Sequence, residues 1–426
     1  MSGPLSPTEI RVLEHLDADV LVQGLVDLVR VPSITGSDAE SDLQFRQADD
    51  LEQAGFQVDA WKFDLPALAA DPEFPGTEAP RVEGYGVVGV LGGEGIPALV
   101  LQGHVDVVPT GDPAKWTTAD PFAGRIIGRT LHGRGACDMK AGVAVNAAVA
   151  ATLARSGVVL ERPFAVHSVI SEEDGGLGAF GTLRRGHRGE VAVLTEPTSG
   201  RIVVANAGAL TFRVRVPGRA AHGSTRLEGV SAFEAFLPVH RALQDLERAR
   251  NADPDPLFAG LPLPYPISIG RIAAGDWASS VPDLLTAEGR LGVRLGEEPA
   301  EARRELEQAV AAASARDPWL ADHPAEVHWC GGQFASGSIS AAHPLIDELG
   351  RSVADTRDGG ASPLRGAAPY GSDLRLYAAG GIPALHYGPG DVRFAHAPRE
   401  QVDLDEVLEV AAALVVLALR RCGAHY

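Results

Sequence analysis

The chain has 426 residues, 45% hydrophobic and 22% charged, with a formal net charge of −19; that length favours two cores over one, in a protein of globular composition. Lysine occurs three times, at Lys62, Lys115 and Lys140, and so acidic a surface repels phosphate backbones, which excludes nucleic acid as the expected partner. The first residues lack a basic stretch followed by an apolar one, the longest apolar run (407–419) is short and carries Glu409, and Cys137, Cys330 and Cys422 are widely spaced; a cytoplasmic protein with no secretory leader, membrane span or disulfide framework is expected.

Residues 13–31 have helical periodicity and stop at Pro32, and 42–54 read as a second helix ended by Gly55. A strand is expected at 56–63, a surface loop at 65–80 and further strands at 86–91 and 98–101. The Ala- and Val-rich segment 139–155 reads as a helix, followed by buried strands at 164–170 and 191–194. Strands alternating with helices indicate an α/β fold with a largely parallel sheet. The pattern changes near 208. A strand at 209–216, a helix at 231–250, strands at 265–272 and 285–295, a helix at 299–316 and a strand at 326–330 give the split βαβ, ferredoxin-like order. A helix at 344–354, a strand at 383–387 and a helix at 403–421 return to the first domain. The expected division is thus a discontinuous catalytic domain, 1–208 and 331–426, with a lid at 209–330.

The chemistry-bearing residues cluster at strand ends and turns. Residues 101–108 read Leu-Gln-Gly-His-Val-Asp-Val-Val, which brings His104 and Asp106 out on one side of a strand. A carboxylate beside a histidine fixes its tautomer and makes the free nitrogen a better metal ligand. Asp138 lies between glycines before a helix, and is either a helix N-cap or a metal ligand. Ser-Glu-Glu-Asp-Gly-Gly at 171–176 follows one strand and Thr-Glu-Pro at 195–197 follows another, where α/β enzymes place their chemistry. His396 precedes the last helix. Together His104, Asp138, Glu173, Glu196 and His396 supply oxygen and nitrogen donors for two ions bridged by Asp138, with Zn²⁺ expected and Co²⁺ or Mn²⁺ as alternatives. Glu172 is left over, beside a proposed ligand, as a base for an ion-activated water.

The segments 103–109, 133–142, 172–175 and 196–198, with His396 near the end, resemble the M20 family of dinuclear zinc amidohydrolases, in order and over roughly 15–421. The resemblance implies a catalytic domain with a mixed sheet, a ferredoxin-like lid and a homodimer formed through that lid. It implies that His104 and Glu196 hold one ion, Glu173 and His396 the other, that Asp138 bridges, that Glu172 is general base and then acid, and that Asp106 orients His104. It also implies a cis peptide after Asp138, uncommon for a non-proline bond. Glu196 stands where family peptidases often carry Asp and deacylases Glu, which points to a deacylase. His222 would stabilise the oxyanion, in its own subunit or the partner's site. Arg294 stands where the family often binds a substrate carboxylate, against the alternative of an exposed strand residue. Ser279 stands where relatives carry Asn, and Gly388 and Gly390 resemble a substrate-side loop. The implied activity is removal of an acyl group from an N-acyl amino acid or small N-acyl amine. Alternatives are a dipeptidase or carboxypeptidase, a formylaminopyrimidine deformylase, and a non-catalytic metal-binding module.

Overall fold

The strand Leu99–His104 is buried along its whole length, and it anchors the first of two units. A computed structural model describes residues 5–357 and 359–426; residues 1–4, where the leader reading begins, lie outside the described residues. One unit comprises Met1–Val204, Ser338–Gly366 and Asp373–Tyr426, the other Ala205–Gly337 and Ala367–Ser372.

The first unit is built on a nine-stranded mixed sheet. Its centre is parallel: Phe164–Val169, Leu99–His104, Ala192–Leu194 and Ala384–His386 run side by side. The margins are antiparallel, with Gln57–Lys62 on Tyr85–Leu91 at one side and Ile202–Asn206 at the other. The largely parallel reading therefore holds for the centre alone. Parallel strands need both faces covered, which is why Leu99, Val100 and Leu101 are all apolar and fully buried; burying each such side chain contributes about 1.5–3 kcal/mol. One covering layer contains Lys140–Ser156 and Leu404–Cys422. The apolar run at 407–419 belongs to that last helix and lies in the core, and among the described residues no helix is long and apolar enough to cross a membrane.

Two local expectations are corrected. The helix expected at 13–31 is two helices, Pro7–Leu13 and Ala18–Val29. Asp17 starts the second by accepting the Val20 N–H, a cap that satisfies an otherwise unpaired helix donor. The loop expected at 65–80 contains the short helix Leu65–Ala69, capped by Asp64.

The second unit is a four-stranded sheet in the order Ile267–Ala274, Leu284–Val293, Gly208–Pro217, Glu326–Phe334. All three pairings are antiparallel. Ala232–Arg250 and Pro299–Ser314 bury Phe236, Val239, Leu306 and Val310 against Leu210, Phe212 and Leu291. With the two inner strands being first and third in sequence, this is the ferredoxin-like arrangement.

Candidate metal centre

The four parallel strands of the first unit deliver their carboxyl ends side by side, where open α/β sheets place chemistry. From them issue His104, the 171–174 loop, Glu196 and the Gly388–Gly390 segment. His104 is fully buried. Its Nδ1 faces the Asp106 carbonyl at 2.9 Å and the Asp106 carboxylate at 3.4 Å. Both are acceptors, so Nδ1 carries the proton and Nε2 keeps its lone pair. That nitrogen lies 3.4 Å from Asp138, 3.9 Å from Glu172 and 4.0 Å from Glu196.

Asp138 is not a helix cap: the next helix begins with Met139 at its N-cap and no side-chain capping bond. The Asp138–Met139 peptide is cis, as the resemblance implied. The turn before it needs glycine at 135, where φ is +82° and a Cβ would sit 2.7 Å from Val107. The Asp138 carboxylate stands between two histidines, 3.4 Å from His104 Nε2 and 3.5 Å from His396 Nε2. His396 also faces Glu173 at 3.1 Å. Donor atoms of His104, Asp138 and Glu196 lie within 4.8 Å of one another, and so do those of Asp138, Glu173 and His396. Asp138 belongs to both groups.

The electrostatics call for cations. Burial and the neighbouring Glu196 push the Glu172 carboxyl well above its usual range, and burial does the same to Glu196. Burial also acts against the ionised Asp138, but the His104 and His396 contacts outweigh it and hold that carboxyl low. Glu173 raises the imidazole of His396. Four carboxyls this close repel one another unless positive charge is supplied. His104 Nε2 and Glu196 Oε1 are buried and have no hydrogen-bond partner, and such atoms are costly unless something coordinates them. The donor set therefore fits divalent ions that accept nitrogen and oxygen ligands.

The remaining expected residues fall in two places. Gly388 and Gly390 border the cluster. Gly388 exchanges hydrogen bonds with Thr198, donating its N–H to Oγ1 at 3.0 Å and accepting from the same hydroxyl at 3.0 Å. His222 and Ser279 lie together in the second unit, where the Gly223 N–H donates to the Ser279 carbonyl at 2.6 Å. The Ser224 N–H donates to His222 Nδ1 at 3.1 Å, which leaves the exposed Nε2 to carry the proton. Arg294 is half-buried in the second unit, its guanidinium 3.4 Å from Glu305 and 3.7 Å from Glu297.

Several supporting groups escaped the sequence reading. Thr35 donates to Asp106 at 3.0 Å. Arg81 pairs with Glu40 at 2.9 Å and lies 3.5 Å from Asp174, while Asp174 accepts the Glu78 and Ala79 amides at 3.0 and 2.8 Å. This network straps the 78–81 segment to the acidic loop. Glu400 pairs with Arg134 and accepts the Asp138 N–H. Arg134 sits inside the Gly-Arg-Gly motif and Glu400 four residues past His396, so proximity to recognised motifs was the one available signal.

An α/β sheet whose strand ends gather two nitrogen-and-carboxylate groups around a shared aspartate defines a class, the metal-dependent hydrolases. Residues 100–421 match the model of peptidase family M20/M25/M40; the chain belongs to that family and is a hydrolase of amide bonds. It is 26% identical over 364 residues, 79% of this chain and 82% of the relative, to the N-formyl-4-amino-5-aminomethyl-2-methylpyrimidine deformylase of Halalkalibacterium halodurans. It is 30% identical over 339 residues, 79% of this chain and 85% of the relative, to the N-acetyl-L-citrulline deacetylase of Xanthomonas campestris. The di-peptidase Dug1p of Saccharomyces cerevisiae shares the fold, with a TM-score of 0.77 at 13% identity, over 98% of this chain and 99% of that one.

Proposed function

We propose that the protein removes a small acyl group from an N-acyl amino acid or small N-acyl amine, with two zinc ions held by His104, Asp138 and Glu196 and by Asp138, Glu173 and His396. The carrying observation is that Asp138 is shared by two donor groups while the Glu172 carboxylate stands free of both, 3.9 Å from His104. When bound, such ions polarise an amide carbonyl and acidify water. Glu172 takes the proton of the attacking water and returns it to the leaving nitrogen; its raised proton affinity suits it to both roles. Asp106 fixes the His104 tautomer, and His222 presents an N–H donor for the tetrahedral oxyanion. The substrate side is assigned to Gly388, Gly390, Ser279 and Arg294.

A small acyl group is favoured because the deformylase and the deacetylase, each matched over about four-fifths of the chain, both release one by name. Homodimerisation through the second unit fits its exposed apolar side chains, among them Phe233, Leu237 and Ile272. Three free cysteines fit a reducing, cytoplasmic setting. The test is a panel of N-formyl, N-acetyl and N-succinyl amino acids, a formylaminopyrimidine and dipeptides, assayed before and after chelation. Turnover of the acyl compounds that chelator abolishes and zinc restores supports the reading. Exclusive dipeptide cleavage, or activity indifferent to chelator, refutes it.

A further inference from the structure

We infer that Glu400, with Arg134, is the positioning pair that sets where Asp138 and His396 stand relative to one another. The inference rests on the two-ion reading above. Glu400 is 1% exposed and Arg134 2%. Glu400 Oε1 accepts the backbone N–H of Cys137 at 3.1 Å and of Asp138 at 3.2 Å. Its Oε2 pairs with Arg134 Nη1, and its own carbonyl accepts the Gly133 N–H at 3.1 Å. One residue thus grips both ends of the turn that carries Asp138, its side chain at the Cys137–Asp138 end and its carbonyl at Gly133.

The same residue lies four positions after His396 in a tight segment, its N–H bonded to the Ala397 carbonyl at 3.1 Å. Arg134 reaches in the third direction. Its Nη2 donates to the Pro109 carbonyl at 3.2 Å, just past the His104 and Asp106 strand end, and its guanidinium lies 5.0 Å from the Trp116 ring centre. The segments bearing His104, Asp138 and His396 therefore converge on one buried ion pair that is itself in neither donor group. A buried, charge-assisted contact of this kind, with each partner also tied to backbone, fixes geometry more tightly than backbone packing alone. His396 is the most exposed of the proposed ligands, with a half-exposed side chain, and so depends most on its segment for placement. Groups that orient metal ligands from behind typically change metal affinity by about 10–100-fold when altered.

The experiment is calorimetric titration of Zn²⁺ and Co²⁺ into the chelator-stripped full chain, with the visible spectrum of the Co²⁺ form as a second readout. Wild type, Glu400→Gln, Glu400→Asp and Arg134→Lys are compared, each checked by circular dichroism. Glu400→Gln, which keeps the shape but loses the ion pair, is expected to weaken at least one ion by about tenfold or more and to alter the cobalt spectrum, with Glu400→Asp intermediate. If Glu400→Gln does not fold, Arg134→Lys carries the test with the same expectation. Both affinities staying within tenfold of wild type overturns the inference. Loss of folding in both variants also overturns it, since the pair then serves stability rather than ligand placement. A wild-type chain that binds no ion refutes the two-ion reading instead.

Discussion

Asp106 accepts the backbone N–H of Glu172 at 3.2 Å. Its other oxygen takes the Glu173 N–H at 3.2 Å and the Thr35 hydroxyl at 3.0 Å. The residue that faces His104 Nδ1 thus also holds the loop carrying Glu172, the proposed general base, and Glu173, a proposed ligand. Asp106→Asn puts an amide donor where at least three donors already point. The expected result is a fall of about 10–100-fold in kcat/KM together with weaker ion retention. Steady-state kinetics and metal content after dialysis check it; unchanged values in both would remove Asp106 from its proposed role.

Glu172→Gln separates chemistry from binding. The carboxylate is outside both donor groups, so titration calorimetry should give two ions with near wild-type affinity. Turnover should fall by about 10²–10⁴-fold, the usual contribution of a general acid–base. Near-normal activity would exclude Glu172 as the proton carrier.

What the sequence displayed and what it hid follow from the range of the interactions. Strands such as Leu99–His104 announce themselves locally, through an unbroken apolar run. The residues at their ends announce themselves by chemistry, since His104, Glu173 and Glu196 each follow such a run. The helix break at 14–17 is masked in the sequence because the apolar spacing continues through it, and the Asp17 cap is its one local mark. The helices Leu177–Arg184 and Leu374–Ala379 are short, and the first is rich in glycine; they form where tertiary packing outweighs weak propensity. The Glu40–Arg81–Asp174 network and the Arg134–Glu400 pair join residues up to 266 positions apart, a distance over which no periodicity carries information.

Two buried histidines make stability depend on acid. His167 and His386 are fully buried, and burial lowers each to about 3 from the ordinary 6.5. His167 faces the Tyr377 hydroxyl at 2.9 Å and the His187 ring, and His187 adds a further lowering. Below about pH 6.5 the unfolded chain takes up these protons and the folded one does not. Stability is therefore lost as pH falls from about 6.5 toward 3. At pH 5 the loss from one such histidine is about 2 kcal/mol relative to pH 7. His167→Gln, which can still bond Tyr377, should lose about 2 kcal/mol less than wild type between pH 7 and 5 in urea unfolding. Parallel pH dependences in the two proteins would rule out His167 as a source.

Gly388 has no room for a side chain, and the obstacle is backbone. A Cβ there would lie 2.3 Å from the Thr195 carbonyl oxygen and 2.5 Å from that of Glu196. Neither side can retreat freely, because the strands leading to them, Ala384–His386 and Ala192–Leu194, are hydrogen-bonded in parallel register. Gly388→Ala must therefore displace the segment that presents Glu196, at a cost of about 1–3 kcal/mol for overpacking. Gly390→Ala is the comparison: its φ of +95° strains any other residue, but its Cβ meets the Cys137 sulfur at 3.0 Å rather than the Glu196 segment. Both variants should melt earlier than wild type. Gly388→Ala should weaken the ion assigned to His104, Asp138 and Glu196 more than the other ion, whereas Gly390→Ala, pressing on Cys137 beside the shared Asp138, should affect the two ions alike, measured by zinc titration of the stripped protein. A Gly388→Ala variant in which both ions weaken equally, or neither does, would show that Gly388 serves the turn and not the placement of Glu196.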